Sequence, residues 1–92
     1  MATVEVKFTK SDGIGPFLVT IDDKKLNFQN GKASRSVSTG DHALTWFVRG
    51  EPFSKYTIEI TAPPSAVFKH SGIIDDSNTD AGIQWFRVGE VA

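Results

Sequence analysis

The sequence predicts an all-β protein, a single antiparallel β-sandwich domain of about seven or eight short strands over residues 1–92. Apolar residues recur at every second position through most of the chain, which is the period of a strand with one buried face. Turn-forming residues interrupt this alternation at short intervals. No segment shows the 3.6-residue period of an amphipathic helix. The alternation fits an Ig-like or a transthyretin-like Greek key equally well, so it leaves the strand order open.

Each predicted strand in the first half is a set of alternating apolar residues bounded by a turn. The segment 11–16, with two glycines and a proline, separates the first set from the second. Asn30-Gly31 is the dipeptide best suited to the two positive φ angles of a type I′ hairpin turn, and 33–38 is the returning strand. The sets before this hairpin are Val4, Val6 and Phe8; Phe17, Val19 and Ile21; and, after a charged turn at 22–25, Leu26 and Phe28.

The second half contains the two clearest strands of the sequence. A turn at 39–42 precedes the first, and Pro63-Pro64 ends the second because proline cannot donate a ladder hydrogen bond. Beyond these prolines we expect a short strand at 66–68, a polar and turn-rich segment at 71–80, and a last strand at 83–88. The alternating sets of the two clear strands are Leu44, Trp46 and Val48, and Tyr56, Ile58 and Ile60.

Composition excludes several kinds of site. The chain contains no cysteine, and therefore no disulfide, thiolate metal site or cysteine nucleophile. Ten basic and eleven acidic residues are interspersed and leave a net charge of −1, so we expect no nucleic-acid partner. No run approaches the ~20 apolar residues that cross a bilayer, and the N-terminus lacks the apolar stretch of a signal peptide. We therefore expect a soluble protein without membrane insertion, either cytoplasmic or a secreted protein in its mature form.

Three central segments follow one another in an order found in a known type of module. They are 17–22 (FLVTID), 36–48 (SVSTGDHALTWFV) and 55–60 (KYTIEI). An Ile-Asp strand end, a Gly-x-His turn and an alternating strand pair over roughly half the chain resemble PEGA-type and related prealbumin-like β-sandwich modules. The Gly-x-(Ser/Thr)-Pro element of PEGA modules is absent here. The resemblance implies a non-catalytic surface or accessory module.

Two aromatic dipeptides, Trp46-Phe47 and Trp85-Phe86, lie inside predicted strands. Because adjacent strand residues point to opposite faces, each pair should send one ring into the core and leave the other outside. On neighbouring strands, the outer rings would form an apolar platform for a sugar face or a protein partner. The alternative is that the 50–54 loop or the 71–80 segment covers them. Together with Phe53, these four residues are the candidate ligand-binding residues.

A candidate cation site is the loop that contains Asp76, Asn78 and Asp80. Oxygen ligands at alternate loop positions suit a hard cation such as Ca²⁺. The EF-hand pattern fails, however, because its glycine and glutamate positions hold Ala81 and Arg87. Local side-chain bonds to the backbone of a solvated loop explain the same residues, so we expect no metal and no cofactor.

The two histidines are the remaining candidates for acid-base chemistry. His70 lies beside Ser71 and near Asp75 and Asp76, which allows a Ser-His-Asp set to be written, but no Gly-x-Ser-x-Gly elbow accompanies it. We interpret these residues, and His42 in its predicted turn, as exposed surface groups. A small hydrolase that depends on His70 is the enzymatic alternative.

We therefore expect a non-catalytic binding module with an exposed aromatic patch and a protein or glycan ligand. A self-associating structural subunit, with the patch buried against a second copy, is the main alternative. An edge strand such as 4–8 could also pair with a partner chain.

Overall fold

The computed structural model describes residues 2–89, and these form two antiparallel four-stranded sheets packed face to face. Sheet I has the strand order β4-β1-β6-β7 and sheet II has the order β3-β2-β5-β8. The predicted all-β, two-sheet architecture is confirmed. The strands are β1 (Ala2–Lys10), β2 (Ile14–Ile21), β3 (Lys24–Lys25), β4 (Lys32–Val37), β5 (Gly40–Gly50), β6 (Lys55–Ala62), β7 (Phe68–Ile73) and β8 (Thr79–Val88).

The core lies between the two sheets and consists of the alternating residues that the sequence marks. Across the middle of the sandwich, the rings of Phe8 in β1 and Phe17 in β2 stack with their centroids 4.0 Å apart. No helix within the described residues is long and apolar enough to cross a membrane. Core residues from both sheets with exposed fractions of 1% or less include Val4, Val6, Val19, Ile21, Leu44, Val48, Ile58 and Ile60.

Two tight turns have the backbone that their residues predict. Asn30 and Gly31 both have positive φ, 54° and 79°, as a type I′ turn requires. Asp22 and Asp23 join β2 to β3 with φ of 52° and 66°, and aspartate is one of the few residues that tolerate this region. The predicted hairpin at Asn30-Gly31 is therefore confirmed. The charged turn predicted at 22–25 is confirmed only at Asp22-Asp23, because Lys24–Lys25 form β3, and the strand expected at Leu26 and Phe28 is wrong.

Several predicted strand bounds are wrong. β8 begins at Thr79 and not at residue 83. β2 begins at Ile14 and continues through Gly15-Pro16, because an irregular register with β5 between Ile14 and Phe17 accommodates the proline. β5 begins at Gly40, where φ is 128°, so the chain turns at 38–39 and not at 39–42. His42 consequently lies within a strand.

The chain after Pro63-Pro64 also differs from the prediction. A 3₁₀ turn, Pro64–Ala66, replaces the strand expected at 66–68, because prolines suit the first turn of a helix. The strand β7 follows at Phe68–Ile73, so it begins at the last residue of the expected strand and extends three residues into the segment 71–80 that sequence alone indicates as turn-rich. Its inward positions are Phe68, His70 and Gly72, which share no apolar period.

The edge strand expected at 4–8 is not an edge. β1 pairs with β4 on one side and with β6 on the other, so its backbone groups are used within sheet I. The strands with one unpaired side are β3, β4, β7 and β8. Strand alternation identifies buried faces but carries no signal for lateral position in a sheet.

Candidate functional site

Four exposed apolar side chains lie on the outer face of sheet II, and we call this set the apolar strip. The register places Leu18 opposite Phe47, and it places Thr45 opposite Ile83. The members of the apolar strip and their exposed fractions are Leu18 (43%), Phe47 (45%), Ile83 (56%) and Trp85 (65%).

Both aromatic dipeptides divide between core and surface as predicted. Trp46 and Phe86 point inward and are 6% and 8% exposed, whereas Phe47 and Trp85 point outward. Their strands, β5 and β8, are neighbours in sheet II. Phe47 is 45% and Trp85 65% exposed, so residues 2–89 do not bury either ring and the covered-ring alternative is wrong for this part of the chain.

The two outer rings do not form a joint aromatic platform. Phe47 lies opposite Ala81, while Trp85 lies opposite Ala43, four positions further along the strand pair. At about 3.3 Å per residue, this separates the rings by roughly 13 Å. Ile83 lies between them on β8, so the centre of the apolar strip is aliphatic.

The polar groups around the apolar strip include two threonines, an ion pair and Arg49, which is exposed on the same face as Phe47. The hydroxyl groups of Thr20 and Thr45, which pair across β2 and β5, bond to each other. At the end near Trp85, Arg87 Nη1 lies 3.7 Å from Asp41 Oδ1, and both side chains are exposed. An open depression of about 370 Å³ lies there, lined by Asp41, Trp85, Phe86 and Arg87.

Trp46 is held in the interior by a series of hydrogen bonds and by close packing against a glycine. Its Nε1–H donates to the Tyr56 hydroxyl at 2.9 Å, and that hydroxyl donates to Asp80 Oδ2 at 2.5 Å. A Cβ at Gly82 would lie 2.4 Å from Trp46 Cζ2, so only glycine leaves room for the indole. Burial, with the bond to Asp80 and its charge, raises the pKa of Tyr56 far above its usual value. Tyr56 therefore stays protonated and Trp46 has no free edge for a ligand.

Phe53 is the most exposed of the candidate residues but lies away from the apolar strip. It occupies the β5–β6 turn, is 72% exposed and has a φ of 69°. Its N–H donates to the carbonyl of Ile74, just beyond β7 of sheet I, at 2.8 Å. The structure does not bring it into register with Phe47 or Trp85.

The candidate cation loop is organised by bonds to the protein itself. Asn78 Nδ2 donates to the carbonyl of Gly50 at 3.2 Å, and Asp80 accepts the Tyr56 hydroxyl. Asp75 accepts the N–H and hydroxyl of Ser77, and these two bonds lower the pKa of Asp75. Residues 2–89 contain no group of three histidine, cysteine, aspartate or glutamate side chains that could hold a metal ion.

The Ser-His-Asp set that can be written around His70, the enzymatic alternative, does not assemble. His70 and Ser71 are adjacent in β7 and point to opposite faces. The His70 ring faces the interior, with its centroid 4.9 Å from that of Trp46. Ser71 Oγ lies outside, 3.3 Å from Thr57 Oγ1. The Ser-His pairing in the set is therefore wrong.

His42, which we expected to be exposed, is buried, and each of its two ring nitrogens makes a hydrogen bond. Its Nδ1 donates to Asp22 Oδ2 at 2.5 Å, and its Nε2 donates to the carbonyl of Ser38 at 2.7 Å. Both partners are acceptors, an arrangement that favours the imidazolium form, in which both ring nitrogens carry protons. Burial lowers the pKa of His42, but the bonds to Asp22 and Ser38 and the charges of Asp22 and Asp41 outweigh it and raise the pKa.

Sequence reasoning missed two of the four residues of the apolar strip. Leu18 falls between the half-buried Phe17 and the buried Val19, which both point inward, and its outward position follows from the same alternation. Ile83 lies two residues before Trp85 on β8 and therefore faces the same side of the sheet. Both could have been found by asking which large apolar residues occupy the outward-facing positions of each predicted strand.

No protein-family model matches the chain, and neither a curated protein nor a solved structure matches it. The resemblance to PEGA-type and prealbumin-like modules therefore stays a prediction, and the arguments for function come from the residues themselves.

Proposed function

We propose that the protein is a non-catalytic binding module that contacts a protein partner through the apolar strip. The observation that carries this proposal is that four large apolar side chains share one sheet face and remain 43–65% exposed. Single exposed apolar residues are common on soluble proteins, but contiguous apolar patches mark interaction sites. Trp85 is the most exposed of the four and is of the residue type most enriched among binding hot spots.

The chemistry of the apolar strip favours a protein partner over a glycan. A sugar brings hydroxyl groups that need hydrogen-bond partners, yet the threonine hydroxyls on this face bond to each other. The aromatic rings are roughly 13 Å apart with Ile83 between them, which suits aliphatic and aromatic side chains of a protein. The exposed Asp41–Arg87 pair supplies a polar rim at one end.

The finer fold type belongs to the same proposal. We propose a Greek-key sandwich, Ig-like or transthyretin-like, as the resemblance to PEGA-type modules implies. Its support is that only β2–β3 and β6–β7 are consecutive neighbours within one sheet, while the other connections cross between the sheets.

A selection experiment tests the proposed function directly. The wild-type protein is used to select from a displayed library of random peptides, and the affinities of selected peptides are measured against two variants. The double variant Phe47→Ser/Trp85→Ser removes both rings of the apolar strip. Phe53→Ser is the matched control, because it removes an exposed phenylalanine that lies elsewhere.

We expect selected peptides to carry aromatic or aliphatic anchors and to bind the double variant at least tenfold more weakly than wild type. The Phe53→Ser variant should bind them as wild type does. Equal binding to the double variant would place the site elsewhere and overturn the proposal. A shift of the Trp85 indole NMR signal by a soluble oligosaccharide pool, with no peptide selected, would identify a glycan ligand instead.

A further inference from the structure

The last strand, β8, has one side with unused backbone groups. Gly50 N donates to the carbonyl of Asn78 at 3.0 Å, one residue beyond the Arg49–Thr79 pair that ends the β5–β8 register. In an antiparallel pair, bonded and non-bonded positions alternate. Even-numbered residues of β8 therefore bond to β5, and odd-numbered residues direct their N–H and C=O groups away from sheet II. These odd-numbered residues are Thr79, Ala81, Ile83, Trp85 and Arg87.

Two side-chain bonds confirm this direction. Gly89, the next odd position, donates its N–H to Ser65 Oγ at 3.0 Å, and Ser65 belongs to the 3₁₀ turn beside β8. Gln84 Nε2 donates to the outward carbonyl of Trp85 at 2.8 Å. Side chains thus occupy outward backbone groups at these two positions. Between Thr79 and Arg87, the N–H groups on this side have no bond within the described residues.

The unpaired side of β8 lacks the features that protect the other edges. β3 has only two residues, both lysines, and β4 and β7 have six residues each, with Lys32 and Arg35 in one and Lys69 in the other. β8 has ten residues, and its central six, 81–86, contain neither a charge nor a proline. Proteins normally shorten, charge or interrupt a free edge to prevent pairing with another chain.

We propose that β8 pairs antiparallel with β8 of a second copy of this chain, about a two-fold axis at Gln84. Such an axis, normal to the sheet, keeps inner and outer faces aligned and lets odd residues bond to odd residues. Ile83 then lies opposite Trp85 of the second copy, and Trp85 opposite Ile83. Each Trp85 carbonyl exchanges its bond from Gln84 for one from the second copy's Ile83 N–H.

The neighbouring registers match these side chains less well. An axis at Ile83 would place Trp85 opposite the small Ala81 of the second copy. An axis at Trp85 would place Ile83 opposite Arg87. The axis at Gln84 instead forms two aromatic–β-branched cross-strand pairs, which rank among the favourable pairs in antiparallel sheets.

The pairing joins two copies of sheet II into one eight-stranded sheet with both apolar strips on the same face. A net charge of −1 on each copy opposes the association little. The contact is one strand pair, which is below the standard interface of about 800 Å² per partner. We therefore expect a weak dimer whose population rises with concentration.

Cysteine cross-linking captures such a dimer and reports its register. The chain has no cysteine of its own, so Gln84→Cys introduces a unique thiol on the two-fold axis. Position 84 becomes a non-hydrogen-bonded pair with Cα atoms about 4.5 Å apart, within the range that a disulfide spans. Ile73→Cys, on the exposed side of edge strand β7, is the control thiol.

We expect Gln84→Cys to form a covalent dimer under mild oxidation at least tenfold faster than Ile73→Cys. We also expect the wild-type protein to sediment with a concentration-dependent mass that Ile83→Lys abolishes and Ile73→Lys preserves. Equal cross-linking of both thiols, or a monomer at every concentration with a folded Gln84→Cys that does not cross-link, would overturn the inference. Either outcome leaves the proposed function of the apolar strip untouched, because that test measures peptide binding.

Discussion

Asp22 and His42 form an ion pair that ties the β2–β3 turn to the start of β5, with Asp22 Oδ2 2.5 Å from His42 Nδ1. The second carboxylate oxygen, Oδ1, accepts the N–H of Ala43 at 3.0 Å. Burial raises the pKa of Asp22, but the bond from His42, the bond from Ala43 and the charges of His42 and Arg35 outweigh it and lower the pKa. One carboxylate thus holds a side chain and the backbone beside it.

This pair makes stability depend on pH in a defined window. Because the folded pKa of His42 is raised, its contribution is complete below the unfolded value of about 6.5 and is lost as the pH rises through the folded pKa. Because the folded pKa of Asp22 is lowered, its contribution is complete above about 3.9 and is lost as the pH falls through the folded pKa. We expect the pair to stabilise the fold most between about pH 4 and 6.5.

Asp22→Asn isolates this effect, because asparagine also tolerates the positive φ of the turn. Urea unfolding across pH 4 to 9 should show a smaller decline above pH 6.5 in Asp22→Asn than in wild type. Asp23→Asn is the matched control, since Asp23 has similar backbone geometry, with a φ of 66°. Parallel pH profiles for wild type and Asp22→Asn would contradict the role of the pair.

The Tyr56 hydroxyl is expected to contribute to stability through both of its bonds. Tyr56→Phe leaves the buried Trp46 Nε1–H without its acceptor, which costs about 1–3 kcal/mol when no other group replaces it. Thermal unfolding measures the loss. Thr57→Val, at the next residue of β6 and half-buried on the outer face, should change stability much less. Equal stability of Tyr56→Phe and wild type would mean that water or a shifted side chain supplies the missing acceptor.

Gly82 is expected to be irreplaceable because Trp46 covers it. The Cβ of Gly82→Ala would approach the indole to 2.4 Å, and such overpacking costs about 1–3 kcal/mol. Gly15→Ala is the control, because its Cβ would come no closer than 3.4 Å to Arg49 O. Chemical denaturation should separate the two variants. If both variants lose equal stability, the loss reflects strand glycines in general and not the indole contact.

The alternation of apolar and polar residues predicted which face of each strand is buried, but it did not predict which strands are neighbours in a sheet. It identified Val4, Val6 and Phe8 as one buried set, yet nothing in that set shows that β1 lies between β4 and β6. His42 was misplaced because Gly40 resembles a turn residue, although it opens the longest strand. Burial of His42 depends on Asp22, twenty residues earlier, and such long-range pairing leaves no local pattern in a sequence.

β7 shows the same limit from another direction. Its inward residues, Phe68, His70 and Gly72, lack a common hydrophobicity because each fits a different neighbour. Gly72 is required by the Tyr56 ring, which a Cβ would approach to 2.3 Å. When each inward residue of a strand fits a different specific contact, the strand lacks the alternation of apolar and polar residues from which it could be predicted.

The same substitution is expected to lower the stability of the fold greatly at Trp46 and very little at Trp85. Trp46→Ser removes a buried indole and should cost about 3–5 kcal/mol, as large-to-small changes of tryptophan in a core do. Trp85→Ser removes a ring that is 65% exposed and should change the free energy of unfolding by about 0.5 kcal/mol or less. Urea unfolding followed by far-UV circular dichroism measures both variants without relying on tryptophan fluorescence. A large loss of stability in Trp85→Ser would show that its ring serves the fold of the single chain, and the apolar strip would then lose its strongest claim to be a binding surface.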